Sequence, residues 1–128
     1  MQNEADAIVS AVMAKWSAGF EKLDAAALAS LYSKNAFFFG SNPALYRGRD
    51  GVEAYFSGLP RFRAPSVRFS EVTSAMVAPD VISMAAIFSF DLAGEREPLS
   101  VKMSWVIVRE DGDWKIVNHH ASSRTPLI

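Results

Sequence analysis

The chain contains no cysteine, which excludes disulfide scaffolds, zinc–thiolate sites and thiol nucleophiles. It has no run of lysine or arginine: 13 basic residues stand against 14 acidic ones, for a formal charge of -1. A surface that tracks nucleic-acid phosphates needs clustered positive charge, so nucleic acid is not an expected partner. No segment approaches the roughly 18 uninterrupted apolar residues of a membrane span, and no membrane is expected. The first residues, MQNEADAIVSAVMAKW, carry acids where an export signal carries bases, so the expectation is a cytoplasmic protein. Only two histidines occur, side by side in WKIVNHHASS.

What remains is a strongly apolar chain. Of 128 residues, 50% are hydrophobic, 12% aromatic and 21% charged. This is the composition of a globular protein, and the length suits one domain spanning residues 1–128.

Ile8, Val12, Trp16 and Phe20 recur every four residues with Val9 and Met13 beside them, which predicts a helix capped by Asn3. Asp24 is placed to cap a second helix over AAALASLYS, and NAFFFG reads as a short buried strand. In DGVEAYFSGLP the spacing of Asp50 and Glu53 matches a capping box, and Gly58 with Pro60 predicts the end of a third helix. After Pro65 the pattern changes to four long strands, near 66–78, 81–92, 99–109 and 114–123. They are separated by turns at Pro79 and Asp80, around Gly94, and at Asp111 and Gly112. Helices followed by an antiparallel meander predict an α+β domain, three helices packed in one curved sheet.

If Asp111 and Gly112 are the central turn residues, an unbroken ladder sets Ser104 opposite His119 and Met103 opposite His120. Alternation then sends the two histidines to opposite faces, so they cannot share a metal ion. With no cysteine and no third histidine, no metal site is expected. One face of this ribbon carries Lys102, Ser104, Val106, Val108, Val117, His119 and Ala121; the other carries Met103, Trp105, Ile107, Trp114, Ile116 and His120. Both are rich in large apolar groups, whereas a sheet with one wet face alternates cleanly. One layer of helices covers one face only. The mixed face is therefore expected to look inward, and the face of Met103, Trp105, Ile107, Ile116 and His120 to join a second copy in a homodimer.

The order of elements, with LYSKNAFFFG, YRGRDGVEAYF and REDGDWKIVNHHASS, resembles the nuclear transport factor 2-like superfamily, above all its SnoaL-like branch. The last segment also resembles the end of the association domain of calcium/calmodulin-dependent kinase II. The resemblance spans essentially the whole chain and implies a cone-shaped, cystatin-like α+β barrel with a pocket between helices and sheet and with dimerisation through the sheet. It admits isomerases, cyclases, dehydratases, epoxide hydrolases and assembly domains, because fold does not settle chemistry. Where ketosteroid isomerases in this superfamily carry a general-base Asp, an oxyanion-hole Tyr and a protonated Asp, this chain has Gly40 or Ser41, Trp16 and Ser104. That particular activity is not expected.

His119 is the candidate acid or base, with an alternative role as a histidine bonded to Ser104 or to water. Tyr32, Tyr46 and Tyr55 are candidate ligand-binding hydroxyls, and Trp16, Phe37, Phe39, Met84, Phe88 and Phe90 are either pocket walls or ordinary core. Lys102 either meets an anionic ligand or reaches the rim, and Arg47 and Arg49 either contact a ligand carboxylate or are solvated. The expectation is a homodimer that binds a small apolar organic molecule without a cofactor, with proton-transfer chemistry of the isomerase, cyclase or dehydratase kind if it is an enzyme. The alternative is a non-catalytic assembly or sensor module.

Overall fold

A computed structural model describes residues 2–92 and 98–123. Helix α1 spans Gln2–Glu21, and its apolar stripe is buried along its length at Ala5, Val9, Val12, Met13, Trp16 and Phe20. Asn3 therefore lies inside the helix and not at its cap. Leu23 takes a positive φ of 51° and turns the chain into α2, Ala25–Ala29, where the Asp24 carboxylate accepts a bond from the Ala27 N–H at 3.0 Å. This helix is shorter than its sequence predicts. Ser30 closes it by donating to the Ala27 carbonyl at 2.6 Å, and Tyr32 already pairs with Ile116 in the sheet. Tertiary pairing overrides the helical propensity of the run.

Strand β1 covers Tyr32–Phe39, and a three-residue strand β2, Leu45–Arg47, pairs with it ahead of the third helix. Helix α3 spans Gly48–Ser57 and starts two residues before Asp50, with no side-chain cap at Arg47, so the expected capping box does not form. Val52 and Phe56 are its buried face. Strands β3 (Ser66–Ala78), β4 (Val81–Asp91), β5 (Leu99–Glu110) and β6 (Asp113–Ser123) complete a six-stranded sheet of order β2-β1-β6-β5-β4-β3. It is curved and unclosed, and one pair, β1 with β6, runs parallel. The expected turn around Gly94 lies outside the described residues.

Asp111 and Gly112, both at positive φ (53° and 84°), make the tight hairpin turn, and Glu110 pairs with Asp113 as expected. Further from the turn the ladder is broken. Ile107 faces Ile116, but Val106 faces Asn118, so Val117 is an extra residue, a bulge. Beyond it Trp105 faces His119 and Ser104 faces His120. The bulge moves His119 to the side of Met103, Trp105, Ile107 and Ile116, and that side, not the mixed one, is buried against the helices; Lys102 and Ser104 lie on the opposite face beside His120. Met103, Trp105, Ile107 and Ile116 therefore cannot form a subunit contact. The two histidines still point to opposite sides, His119 buried and His120 exposed.

Candidate functional site

The bulge at Val117 delivers His119, only 3% exposed, to the inner face. There it meets residues brought by three other elements. Trp105 comes from the facing position on β5, Tyr32 from the first residue of β1, and Trp16 from the buried stripe of α1. Trp16 Nε1–H donates to the Tyr32 hydroxyl at 3.0 Å, that hydroxyl lies 2.8 Å from His119 Nδ1, and Trp105 Nε1–H donates to the same Nδ1 at 3.1 Å. Phe38 stacks on the imidazole with centroids 3.9 Å apart and planes 22° apart.

Donor counting fixes every proton in this chain. An indole nitrogen only donates, so Nδ1 must accept from Trp105. A proton on Nδ1 would point two N–H groups at each other and leave the Tyr32 hydrogen without an acceptor. Tyr32 therefore accepts from Trp16 and donates to Nδ1, and the neutral imidazole carries its hydrogen on Nε2. Burial, with the charge of the neighbouring His120 adding to it, holds the His119 pKa down at about 3, and the two donors aimed at Nδ1 oppose charging in the same direction. Burial also pushes the Tyr32 phenol far above its ordinary value, so it works as a neutral hydroxyl.

The imidazole borders a cavity of about 330 Å³. Trp16, Phe20, Phe38, Phe56, Phe62 and Phe90 supply aromatic wall, and the polar side chains around it are Ser41, Tyr55, His119, Ser122 and Ser123. No Asp, Glu, Lys or Arg lines it among the described residues. Nε2 has no partner among them either. Because no fully buried side-chain nitrogen or oxygen there lacks a partner, Nε2 is open to solvent-sized space, and the space that His119 borders on this face is the cavity.

Tyr55 lines the same cavity. Its hydroxyl accepts from the Ser41 N–H at 2.9 Å and exchanges a bond with the Ser41 hydroxyl at 2.7 Å. A Cβ on Gly40 would sit 2.5 Å from the Tyr55 ring, so only glycine leaves room for the phenol to cross the end of β1.

The sequence-predicted site is thus partly assembled. Trp16, Tyr55, Phe90 and His119 border the cavity. Tyr32 stands behind His119 as its hydrogen-bond partner, and Phe88 and Met84 are core. Tyr46 is half-buried, accepts from Asn42 Nδ2 at 3.0 Å and packs on the Tyr55 ring at 5.3 Å, off the cavity wall. Phe37 and Phe39 point outward, 52% and 40% exposed, and Phe38 takes the inward place because alternation along β1 permits only the middle ring. Lys102 and Ser104 border a separate outer groove of about 360 Å³ with Glu71, Ile87 and His120. Arg49 lines neither the cavity nor the outer groove; it donates to the Tyr32 carbonyl at 2.8 Å and pairs with Glu110 at 3.1 Å. An unbulged register puts Trp105 and His119 on opposite faces, so the role of Trp105 beside His119 becomes legible only with the bulge. Among the described residues no group of three or more histidines and carboxylates could hold a metal ion, and no helix is long and apolar enough to cross a membrane.

Residues 9–126 match the SnoaL-like domain. The chain belongs to the SnoaL-like domain family. The solved structures that this SnoaL-like chain resembles include a protein from Xanthomonas campestris provisionally named a calcium/calmodulin dependent protein kinase II association domain, with TM-score 0.83, 22% identity and coverage of 94% of this chain and 87% of that one. A protein from Streptomyces avermitilis, provisionally named a dehydratase of the NTF2-like family, has TM-score 0.85 at 14% identity over 98% of this chain and 100% of its own. An NTF2-like protein of unknown function from Pseudomonas putida KT2440 has TM-score 0.80 at 12% identity, covering 93% of this chain and 86% of that one. At these identities the likeness establishes the NTF2-like, cystatin-like fold and nothing of the chemistry. No curated protein is similar enough in sequence to match.

Proposed function

We propose that this SnoaL-like domain binds a small, mostly apolar organic molecule between its helices and the inner face of its sheet. The observation that carries this reading is the cavity of about 330 Å³, apolar over most of its wall, with a polar nitrogen of His119 at its surface. Sites for small molecules have this character, an apolar concavity with few and fixed polar groups.

Binding is favoured over proton-transfer catalysis of the isomerase, cyclase or dehydratase kind, although one structural neighbour is provisionally named a dehydratase. Such catalysis needs a group that takes or gives a proton at the ligand. The Nδ1 lone pair of His119 is occupied by two donors, and the Tyr55 hydroxyl is engaged by Ser41. A thermal-shift screen of apolar compounds tests the reading: ligands should raise the melting temperature, and Ala121→Trp, which fills space at the cavity wall, should remove that response while the protein stays folded. Equal stabilisation of the filled variant would contradict it.

A second reading concerns the outer face. Phe37 and Phe39, with Ile87 and Ala85 further along the sheet, give it apolar area that the helices do not cover, which suits pairing of two copies. Sedimentation equilibrium should show a dimer that Phe37→Glu or Ile87→Glu dissociates; a monomer at all concentrations would rule this out.

A further inference from the structure

The cavity combines two features. Among the described residues its wall carries no charged side chain, and its buried polar contribution is an imidazole whose tautomer is fixed from behind by Trp16, Tyr32 and Trp105. Taking the cavity as the binding site proposed above, we infer that its ligand is an uncharged molecule bearing a carbonyl or comparable acceptor oxygen, held by the Nε2–H of His119 acting as a fixed donor.

Each alternative meets a specific obstacle. An anion entering this wall loses its hydration and gains no cationic partner among the described residues, and the imidazole does not become that partner, because burial holds its pKa at about 3. A cation meets neither a carboxylate of the described residues nor a free lone pair on the ring. A pure hydrocarbon fills the aromatic wall but leaves a buried N–H without an acceptor. A ligand donor group aimed at His119 would meet the Nε2 hydrogen, since the accepting nitrogen faces away. An acceptor oxygen satisfies the N–H, and the N–H draws electron density toward that oxygen without any transfer of a proton. The arrangement costs nothing at the moment of binding, because the ring is already clamped between Phe38 and the two donors on Nδ1.

Three probes with one bicyclic skeleton separate these cases: tetralone, the parent hydrocarbon tetralin, and the tetralin carboxylate. Their affinities are read at about pH 7.5, roughly one unit above the ordinary histidine value, from quenching of tryptophan fluorescence, with Trp16 in the cavity wall. Tetralone should bind about tenfold more tightly than tetralin, and the carboxylate more weakly than either. His119→Phe keeps an aromatic ring on Phe38 and removes the N–H; it should bring tetralone and tetralin to the same affinity. Should that variant not fold, the ranking in the unaltered protein decides. Tetralin equal to tetralone, or the carboxylate tightest, would overturn the inference and leave the cavity as a binding site. Failure of all three to bind would overturn the binding reading itself, and this inference with it.

Discussion

At the scale of single residues, Tyr32 does two jobs with one oxygen: it accepts from Trp16 and donates to His119. Tyr32→Phe leaves the Trp16 N–H buried without an acceptor, which should cost about 1–3 kcal/mol in urea unfolding. A loss near zero would mean that this hydrogen bond does not order the site. Gly40 is set by space: a methyl group there sits 2.5 Å from the Tyr55 ring. Gly40→Ala should destabilise by about 1–3 kcal/mol through overpacking, and the penalty should largely disappear in a Tyr55→Ala background. An undiminished penalty in the double variant would place the cause in the backbone. Of these roles the sequence shows the residue types, three tyrosines, three tryptophans and two histidines, but not who meets whom. Partners 16 and 87 positions apart in the chain leave no local signal.

At the scale of elements, the long strands and the β5–β6 turn were legible because alternation and Asp-Gly chemistry are local properties. The inner and outer faces were not: both sides of the ribbon carry large apolar groups, so alternation does not say which one is covered, and one residue regroups the side chains between them. An insertion at Val117 changes no composition and little periodicity, yet it reverses the side of every later residue relative to β5. The same hairpin carries a clasp. Glu110, next to the turn, accepts from the Ser33 hydroxyl at 2.6 Å, from the Lys34 N–H at 3.3 Å and from Arg49 at 3.1 Å. The Ser33 bond, more than the Lys34 and Arg49 contacts and against the opposing effect of burial, holds the Glu110 pKa below its ordinary value of 4.5. A depressed carboxylate contributes stability that is complete above the unfolded value and disappears as pH falls through the folded one. Glu110→Gln should therefore cost about 1 kcal/mol at neutral pH, with Arg49 discounted because it is 41% exposed. The difference from the unaltered protein should shrink as pH drops below 4.5. A difference that stays constant down to acid would show that the charge on Glu110 is not what the clasp uses.

At the scale of the whole molecule, the fold places a helix layer and a curved sheet around one aromatic interior and closes it over a histidine. Family and fold class were legible from the order of elements and three degenerate segments. The cavity was not, because which aromatic rings meet and which leave a gap depends on packing across four elements. Keeping His119 uncharged has a measurable consequence for stability. Its folded pKa, about 3, lies below the ordinary 6.5, so the unfolded chain binds more protons between these values. Stability should be complete above pH 6.5 and fall on acidification by up to about 1.4 kcal/mol per pH unit.

The proton positions on His119 can be observed directly, by nitrogen-15 NMR of the histidine side chains in the folded protein from neutral pH down to about 4.5. A single neutral tautomer, with Nε2 protonated and Nδ1 bare throughout, is the expected result. A hydrogen on Nδ1, a mixture of tautomers, or protonation of His119 near 6.5 would contradict the hydrogen-bond chain from Trp16 to Trp105 and the donor role built on it.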